Sequence, residues 1–316
     1  MKARLWRMHT GWLAGVISVY QWSCMMNEYL YNKNDQVTLY KGNSLDVLKT
    51  LPDESINCVV TSPPYYNLRD YGHKDQLGLE TTLHEYIINL VDIFKEVKRV
   101  LAKDGTVWLN IGDKYSKVDD MSNNVKQKDL MGIPFKVAFA LQDDGWYLRQ
   151  DIIWDKISVL PESVKDRCTK SHEYIFLFSK SPEYYYDALA IKEPSTSQDN
   201  YIRDRDNPNN KTNTTPMRNY IAGLKHNDYE YRNKRDVWRM GVALFKDVHY
   251  AVFPKELPMT CIKAGTREGD VVLDPFAGTG TTLQVAQELG RKSIGIDIKA
   301  EYLDMCLERT KQMGLF

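Results

Sequence analysis

The sequence predicts an α/β fold, in which a mostly parallel sheet carries helices on both faces. Two observations predict it. Short apolar runs alternate with helical patterns from residue 37 onward, and the run at 56–60 is almost continuously apolar, as strands buried on both faces are. The composition agrees, because 43% hydrophobic and 27% charged residues in a chain of 316 are typical of a globular protein. A disordered or collagen-like chain is excluded.

The helix predicted over 83–101 is the clearest element of the first half. Its apolar residues recur at spacings of three and four, which places them on one face, and Gly105 follows as a stop signal. Adjacent residues of a strand face opposite sides, so His172 and Glu173 are not expected to form an acid and base pair. The other elements predicted there are strands at 37–40, 56–60, 106–111, 147–154 and 173–179, and helices at 44–48 and 134–143.

A polar segment interrupts the pattern between Lys192 and Val248. Residues 201–240 hold nine Lys or Arg against five acidic residues, with Tyr and Trp interleaved. This mixture suits phosphate clamping and contacts to base edges, and a solvated loop is the alternative for any single residue. Strands at 271–273 and 293–297, a helix at 280–289 and a terminal helix follow. We divide the chain into an N-terminal extension (1–36), two halves of one domain (37–192 and 248–316) and an insertion (193–247).

The N-terminal extension superficially resembles a signal peptide, since basic residues precede a short apolar stretch at 12–20. The stretch is too short to span a bilayer, which takes about 20 residues, and no clear cleavage site follows it. We interpret the extension as a leader or a mis-assigned start, with Met25 or Met26 as the functional first residue. No other segment is predicted to cross a membrane.

Cysteine and histidine usage favours a protein without disulfides and without a metal. The five cysteines are far apart and odd in number, which suits reduced thiols in a cytoplasm, and the six histidines show no metal-ligand spacing. The net charge of +0 neither demands nor excludes a nucleic-acid partner, because acidic residues elsewhere can balance a basic patch.

A glycine-rich turn follows the strand that ends at Asp274 and leads into the next helix. Its glycines let the backbone approach a ligand, but it matches neither G-x-G-x-x-G nor a phosphate-cradling loop that ends in Gly-Lys-Ser/Thr. The Asp274 carboxylate would repel a pyrophosphate and attract an ammonium or sulfonium group. Asp297 ends the following strand, where an acidic side chain can bind ribose hydroxyls. The two positions predict a nucleoside cofactor without a phosphate chain.

The segment Ser62-Pro63-Pro64-Tyr65 directly follows the buried strand at 56–60. Open α/β sheets bind ligands at the carboxyl ends of their parallel strands. The prolines stiffen the turn and leave carbonyls free to accept hydrogen bonds, while the tyrosine offers a flat face, so the segment suits a planar base with an amino group. A polyproline recognition motif is the alternative, and the flanking buried strand argues against it.

The two motifs together resemble the DNA amino-methyltransferases, which methylate exocyclic nitrogens of cytosine or adenine with S-adenosylmethionine. The catalytic motif precedes the cofactor motif, as in the permuted beta class of that family. Segments 67–72, 171–176 and 232–238 resemble further family signatures, and the resemblance covers residues 37–310. It implies a Rossmann-like methyltransferase fold, with a mostly parallel seven-stranded sheet and the insertion as the target-recognition region.

The resemblance also implies roles for individual residues. The Ser62 hydroxyl and the Pro63 carbonyl would accept protons of the target amine, and Tyr65 would stack on a base flipped out of double-stranded DNA. Asn43 stands where many relatives have an aspartate near the adenine ring. The implied catalytic residues are Ser62, Pro63, Pro64 and Tyr65; the cofactor-binding residues are Asn43, Phe253, Pro254, Asp274, Phe276, Gly278, Gly280, Thr281 and Asp297; the DNA-binding residues are Arg69, Arg232, Lys234 and Arg235.

Ser62 favours cytosine N4 as the target, because relatives with Ser-Pro-Pro-Tyr are mostly cytosine-N4 enzymes. Adenine N6 is the alternative, since a hydroxyl can accept a hydrogen bond from either amine. An RNA or protein-amide methyltransferase and a DNA-binding regulator without catalysis are more distant alternatives. The resemblance further implies a cytoplasmic monomer or homodimer in a prokaryotic cell or phage-infected host, with a possible cognate restriction endonuclease.

Overall fold

The computed structural model describes residues 28–120, 123–159, 161–195, 230–242 and 252–311. The proposed start at Met25 or Met26 and most of the insertion lie outside these ranges. The strands within them are β1 (Leu30–Lys33), β2 (Val37–Lys41), β3 (Ile56–Thr61), β4 (Leu101–Ile111), β5 (Tyr147–Lys156), β6 (His172–Ser179), β7 (Glu193–Pro194), β8 (Tyr231–Arg232), β9 (Val237–Met240), β10 (Val271–Asp274) and β11 (Lys292–Asp297). The helices are α1 (Ser44–Thr50), α2 (Leu83–Val100), α3 (Ile133–Asp143), α4 (Glu256–Gly265), α5 (Thr281–Glu288) and α6 (Ala300–Lys311).

One large sheet forms the centre of the described structure. Its order is β1-β2-β11-β10-β3-β4-β6-β5-β9, and the remaining strands, β7 and β8, form a separate antiparallel pair. Strands β2, β11, β10, β3 and β4 run parallel to one another, as do β5 and β9, whereas β1–β2, β4–β6 and β5–β6 are antiparallel. The predicted mostly parallel α/β sheet is confirmed.

The sheet has two more strands than the seven expected, and both lie at its edges. Strand β1 falls inside the predicted N-terminal extension, so the boundary at residue 36 is wrong. Its side chains are mostly exposed, and it therefore lacks the apolar pattern of a buried strand. Strand β9 falls inside the predicted insertion and pairs with β5. Only every second side chain of its four residues is buried, a pattern too short to stand out in the sequence.

Two apolar layers enclose the sheet, one on each face. On one face the buried side chains of Leu90, Phe94 and Val97 from α2 pack against the sheet, together with side chains from α1 and α3. Helices α4 and α5 cover the other face. The neighbouring residues Val59 and Val60 of β3 belong to opposite layers, as the alternation of a strand requires. None of the helices in the described ranges combines the length and apolar character needed to cross a bilayer.

Helix α2 passes directly into β4, contrary to the prediction that Gly105 marks a stop. A capping box between Thr82 and Glu85 begins the helix, and the Leu101 N–H donates to the Val97 carbonyl at its end. Gly105 lies inside β4, at an irregularity in its pairing with β3. A Cβ there would lie 2.9 Å from the Asn57 carbonyl oxygen, so glycine permits the close approach of the two backbones.

Candidate active site

A cleft of about 1630 Å³ opens beside the carboxyl ends of β3 and β10. These strands are parallel neighbours, and the Thr61 hydroxyl at the end of β3 donates to Asp274 Oδ1 at the end of β10 over 2.7 Å. The predicted site residues that line the cleft are Asn43, Ser62, Pro63, Pro64, Tyr65, Arg69, Phe253, Asp274, Phe276, Gly278, Thr281 and Asp297. Both sequence motifs therefore face one space. Pro254, Gly280, Arg232, Lys234 and Arg235 are not part of its lining.

The glycine-rich turn is held in shape by its own glycines. Gly278 has φ +49° and Gly280 has φ +81°, both in the left-handed region. A Cβ on Gly280 would lie 2.7 Å from Cys306 Sγ and 3.0 Å from Cys306 Cα. Because Gly280 packs on Cys306 and does not line the cleft, it allows α5 to lie close to α6. The predicted contact between Gly280 and a cofactor stays a prediction beside this packing role.

Asp274 is buried, and hydrogen bonds inside the protein engage both of its carboxylate oxygens. Oδ1 accepts from the Thr61 hydroxyl at 2.7 Å and from the Phe276 N–H at 3.1 Å, while Oδ2 accepts from the Thr282 hydroxyl at 2.8 Å. Burial raises the pKa of Asp274 to about 6, although these hydrogen bonds act in the opposite direction. The carboxylate therefore fixes the turn and ties β10 to β3.

Asp297 is more open to the cleft than Asp274 and binds the same turn. Its Oδ2 accepts from the Gly278 N–H at 2.9 Å, and its Oδ1 accepts from the Lys299 N–H at 2.9 Å. Burial raises the pKa of Asp297 to about 6, against the opposing effect of these backbone hydrogen bonds. A carboxylate offers about four acceptor positions, so Asp297 can still accept hydroxyl donors from the cleft.

Asn43 caps helix α1 and connects it to the loop after the catalytic segment. Its side-chain oxygen accepts from the Leu45 N–H at 2.9 Å, and its Nδ2 donates to the Asp75 carbonyl at 3.2 Å. An aspartate in this place could make the first hydrogen bond but not the second, because a carboxylate has no donor. The departure from the family pattern thus has a local structural reason.

Thr279 is a site residue that the sequence analysis missed. It is 5% exposed and lines the cleft, and its hydroxyl has no hydrogen-bond partner within the described part of the chain. Buried hydroxyls are normally satisfied, so this one is available to a polar partner that the described residues do not supply. The residues here fit the expected nucleoside cofactor: glycine backbone, a free hydroxyl and an acidic side chain adjoin one space. The position of Thr279 between two glycines is the signal that could have found it.

The two prolines of the catalytic segment differ in how their carbonyls are used. The Pro64 carbonyl accepts from the Tyr86 hydroxyl at 2.9 Å. No donor in the described ranges contacts the Pro63 carbonyl, which belongs to the cleft lining. The segment is thus anchored through Pro64, while Pro63 offers the acceptor that the sequence predicts.

The Tyr65 hydroxyl lies at the centre of a polar cluster behind the segment. It accepts from the Ser62 hydroxyl at 3.3 Å and donates to Glu173 Oε2 at 2.7 Å. Burial and the Glu173 charge raise the pKa of Tyr65 well above its ordinary value. Lys156 forms an ion pair with Glu173 Oε1, and both side chains line the cleft. Glu173 lines the cleft, whereas the neighbouring His172 does not.

Comparison with known proteins identifies the family. The sequence model of a family described as DNA methylase matches residues 56–308. The Type II methyltransferase M.XycI of Xanthomonas campestris pv. cyanopsidis is 44% identical over 291 residues, which cover 86% of this chain and 87% of that protein. M.SmaI of Serratia marcescens is 42% identical over 287 residues, covering 85% and 88%. The chain belongs to the DNA methylase family. The resemblance to DNA amino-methyltransferases is therefore confirmed.

Solved structures support the fold of the methylase. The PvuII DNA methyltransferase, described as cytosine-N4-specific, superimposes with a TM-score of 0.65 and 22% identity over 90% of this chain and 89% of that one. A Thermus thermophilus protein solved with S-adenosyl-L-methionine gives a TM-score of 0.57 and 24% identity over 89% of this chain and 97% of that one. These likenesses confirm the predicted Rossmann-like methyltransferase fold.

The predicted DNA-binding cations of the methylase occupy different environments. Arg69 lines the cleft, and Lys234 lies 5.3 Å from the centre of the Trp238 ring. Arg232 and Arg235 both bind Glu193 Oε1, at 2.8 and 2.6 Å. Burial alone would raise the pKa of Glu193, but these two arginines outweigh it and lower the pKa.

The two arginines on Glu193 differ in how far they reach solvent. The Arg232 side chain is only 15% exposed, whereas that of Arg235 is 65% exposed. Arg232 therefore serves to join β7 and β8, and its placement does not support the predicted DNA contact. Arg235 remains accessible to a partner.

Proposed function

We propose that the methylase transfers a methyl group from S-adenosylmethionine to the exocyclic N4 of a cytosine flipped out of double-stranded DNA. The observation that carries this proposal is the meeting of the Ser62-Pro63-Pro64-Tyr65 segment and the glycine-rich turn in one cleft, at the ends of adjacent parallel strands. Because the two motifs share this cleft, a base held by the first motif would lie beside a cofactor held by the second.

The residues of the catalytic segment would make the amine a better nucleophile. The lone pair of an exocyclic amine is delocalised into the ring, so the amine attacks poorly until its protons are drawn toward acceptors. The free Pro63 carbonyl and the Ser62 oxygen supply two such acceptors on one rigid segment. When bound, S-adenosylmethionine supplies an electrophilic methyl group, and the segment holds the nitrogen in line with it.

The other wall of the cleft would bind the cofactor. Phe253 and Phe276 offer apolar surface to the cofactor, and Asp297 accepts from its ribose hydroxyls. The unsatisfied Thr279 hydroxyl supplies a further polar contact. Further lining residues on this side are Asn43, Gly278 and Thr281.

Three further features complete the proposal. Cytosine is favoured over adenine because of Ser62, and the PvuII structure described as cytosine-N4-specific supports this choice. The insertion would recognise the target sequence, with Lys234 and Arg235 among its described cations and Arg69 at the cleft. Flipping the base costs a few kcal/mol, which contacts in the cleft must offset. We place the enzyme in the cytoplasm, as a monomer or homodimer, with a restriction endonuclease as a possible partner.

Nucleoside mass spectrometry tests the proposal directly. Unmethylated DNA is incubated with S-adenosylmethionine and either the wild type, Ser62→Ala or Ser55→Ala. Ser55 is the matched control, because its hydroxyl binds the Pro52 carbonyl before β3, at the other end of that strand from Ser62. We expect N4-methylcytosine from the wild type and Ser55→Ala, and much less from Ser62→Ala.

The other outcomes each contradict a defined part of the proposal. N6-methyladenine would contradict the choice of base while keeping the fold and cofactor. Modification of RNA but not DNA would contradict the substrate. If the cofactor binds and neither nucleic acid is modified, the proposed transfer is wrong, and a protein-amide methyltransferase or a regulator without catalysis takes its place.

A further inference from the structure

A chain of hydrogen bonds leads from Ser62 to a largely buried ion pair in the wall of the same cleft. We propose that Glu173 and Lys156 are positioning residues, which act through the Tyr65 hydroxyl to keep the Ser62 oxygen an acceptor toward the target amine. The inference rests on the proposed function, because it concerns the same reaction. It adds two residues, on β6 and β5, that neither catalytic motif contains.

The direction of the hydrogen bonds follows from the carboxylate at the end of the chain. An ionised carboxylate can only accept, so the Tyr65 hydroxyl must donate its proton to Glu173 Oε2, 2.7 Å away. The Tyr65 oxygen is then left to accept, and the Ser62 hydroxyl, 3.3 Å away, donates to it. With its proton committed to Tyr65, the Ser62 oxygen can offer only lone pairs to the cleft.

Asn110 reinforces this direction from the neighbouring strand β4. Its Nδ2 donates to the Tyr174 carbonyl at 3.1 Å and to Glu173 Oε2 at 3.2 Å. Since the backbone carbonyl fixes the amide nitrogen, the amide oxygen must face Tyr65, and it lies 3.4 Å from the Tyr65 hydroxyl. The Tyr65 hydroxyl therefore faces two acceptors, Glu173 Oε2 and the Asn110 amide oxygen, and it donates its proton on that side.

Lys156 holds the Glu173 carboxylate in place. Its ammonium binds Glu173 Oε1 and lies 4.7 Å from the centre of the Trp154 ring. The side chains of Lys156 and Glu173 are only 20% and 15% exposed, and antiparallel pairing of β5 with β6 brings them together. The ion pair thus holds the carboxylate where it accepts from the Tyr65 hydroxyl.

The direction matters because a free serine hydroxyl can rotate. Turned toward the base, its proton would bind an unprotonated ring nitrogen next to the amine, and the oxygen would no longer draw on the amino protons. The same argument applies to cytosine and to adenine, since both carry such a nitrogen beside the exocyclic amine. The hydrogen-bond chain removes this freedom before the base arrives.

Methyl transfer by the full-length variants Glu173→Gln and Tyr65→Phe tests the inference. The readout is radiolabelled methyl transfer to DNA whichever base receives it, so detecting N6-methyladenine would contradict the proposed base without affecting this test. We expect each variant to lower kcat by about 10- to 100-fold, the range for loss of one charge-assisted hydrogen bond. The KM for DNA and the Kd for S-adenosylmethionine should stay within about twofold, because Glu173 acts through Tyr65.

A double-mutant cycle separates positioning from a general structural effect. If Glu173 acts through Tyr65, adding Glu173→Gln to Tyr65→Phe should cause no further loss of kcat. Two controls remove similar interactions away from the cleft. Glu96→Gln breaks an ion pair with Arg99, and Tyr31→Phe removes a hydrogen bond to Asp304; both should retain the wild-type kcat.

Three results would overturn the inference. The first is a Glu173→Gln variant with the wild-type kcat, and the second is a double variant whose losses multiply. If Glu173→Gln does not fold, as judged by its thermal melting, Tyr65→Phe alone decides. Tyr65→Phe changes no charge. The third result that would contradict the proposed hydrogen-bond chain is a Tyr65→Phe variant with the wild-type kcat.

Discussion

Replacement of Gly280 by alanine would disturb the turn beside the cofactor wall in two separable ways. The residue has φ +81°, and a side chain in this left-handed region costs about 1–2 kcal/mol. The added Cβ would lie 3.0 Å from Cys306 Cα, a backbone atom that no rotamer change can move. Helix α6 must therefore shift, and overpacking of this kind costs about 1–3 kcal/mol. Together we expect a loss of about 2–5 kcal/mol in the free energy of unfolding.

Gly269→Ala is the matched control for the backbone contribution. Gly269 has φ +83°, but a Cβ there would meet nothing within 4 Å, so only the left-handed cost of about 1–2 kcal/mol applies. Urea unfolding followed by circular dichroism measures both variants, and calorimetry measures S-adenosylmethionine binding. Of the two variants, we expect only Gly280→Ala to weaken S-adenosylmethionine binding, because only this variant displaces the glycine-rich turn. If Gly280→Ala destabilises no more than Gly269→Ala, the steric argument is refuted.

Three further predictions concern the same cleft. Because burial raises the pKa of Asp274 from 3.8 to about 6, the folded protein keeps a proton that the unfolded chain loses, and stability falls as pH rises between about 4 and 6. The wild type should therefore exceed Asp274→Asn in free energy of unfolding by a margin that shrinks as pH rises across that range. Urea unfolding measures this margin. Thr279→Val should weaken S-adenosylmethionine binding about fivefold in calorimetry, the value of one neutral hydrogen bond. Lys170 lines the cleft, half-buried, and Lys170→Ala should weaken DNA binding and reduce its salt slope by about 1.

Each of these predictions has a contradicting outcome. A stability difference for Asp274→Asn that is constant from about pH 4 to 6 would show that the carboxylate does not titrate as its burial indicates. Unchanged cofactor affinity in Thr279→Val would mean that the hydroxyl faces no ligand. Lys165→Ala, at an exposed lysine outside the cleft lining, is the control for Lys170→Ala, and equal effects of the two on DNA binding would contradict a specific role for Lys170.

The core elements and both motifs could be predicted from the sequence because their signals are local. The apolar run at 56–60 became β3, and the spacing of three and four over 83–101 became α2. The placement of Ser62 and Asp274 at one sheet edge followed from parallel strands, whose carboxyl ends share that edge. Thr61 and Asp274 confirm it with a direct hydrogen bond.

The features that the sequence could not predict depend on distant partners. Lys156 and Glu173 meet through antiparallel pairing of β5 with β6, and nothing near either residue indicates that pairing. The free hydroxyl of Thr279 is visible only once its surroundings are packed. Strands β1 and β9 carry too few buried side chains for an apolar pattern. Arg232 binds Glu193, which lies 39 residues earlier in the chain, and no local pattern indicates that pairing.

The sheet order has a consequence for how the protein is made. Strands β10 and β11, at 271–297, lie between β2 and β3, which are complete by residue 61. While the ribosome synthesises the middle of the chain, β2 and β3 have open edges that no early strand can fill. Such edges pair readily with other chains, so this protein is most exposed to aggregation before β10 and β11 emerge. Slow translation or truncation before residue 271 should therefore yield insoluble product rather than a partially active enzyme.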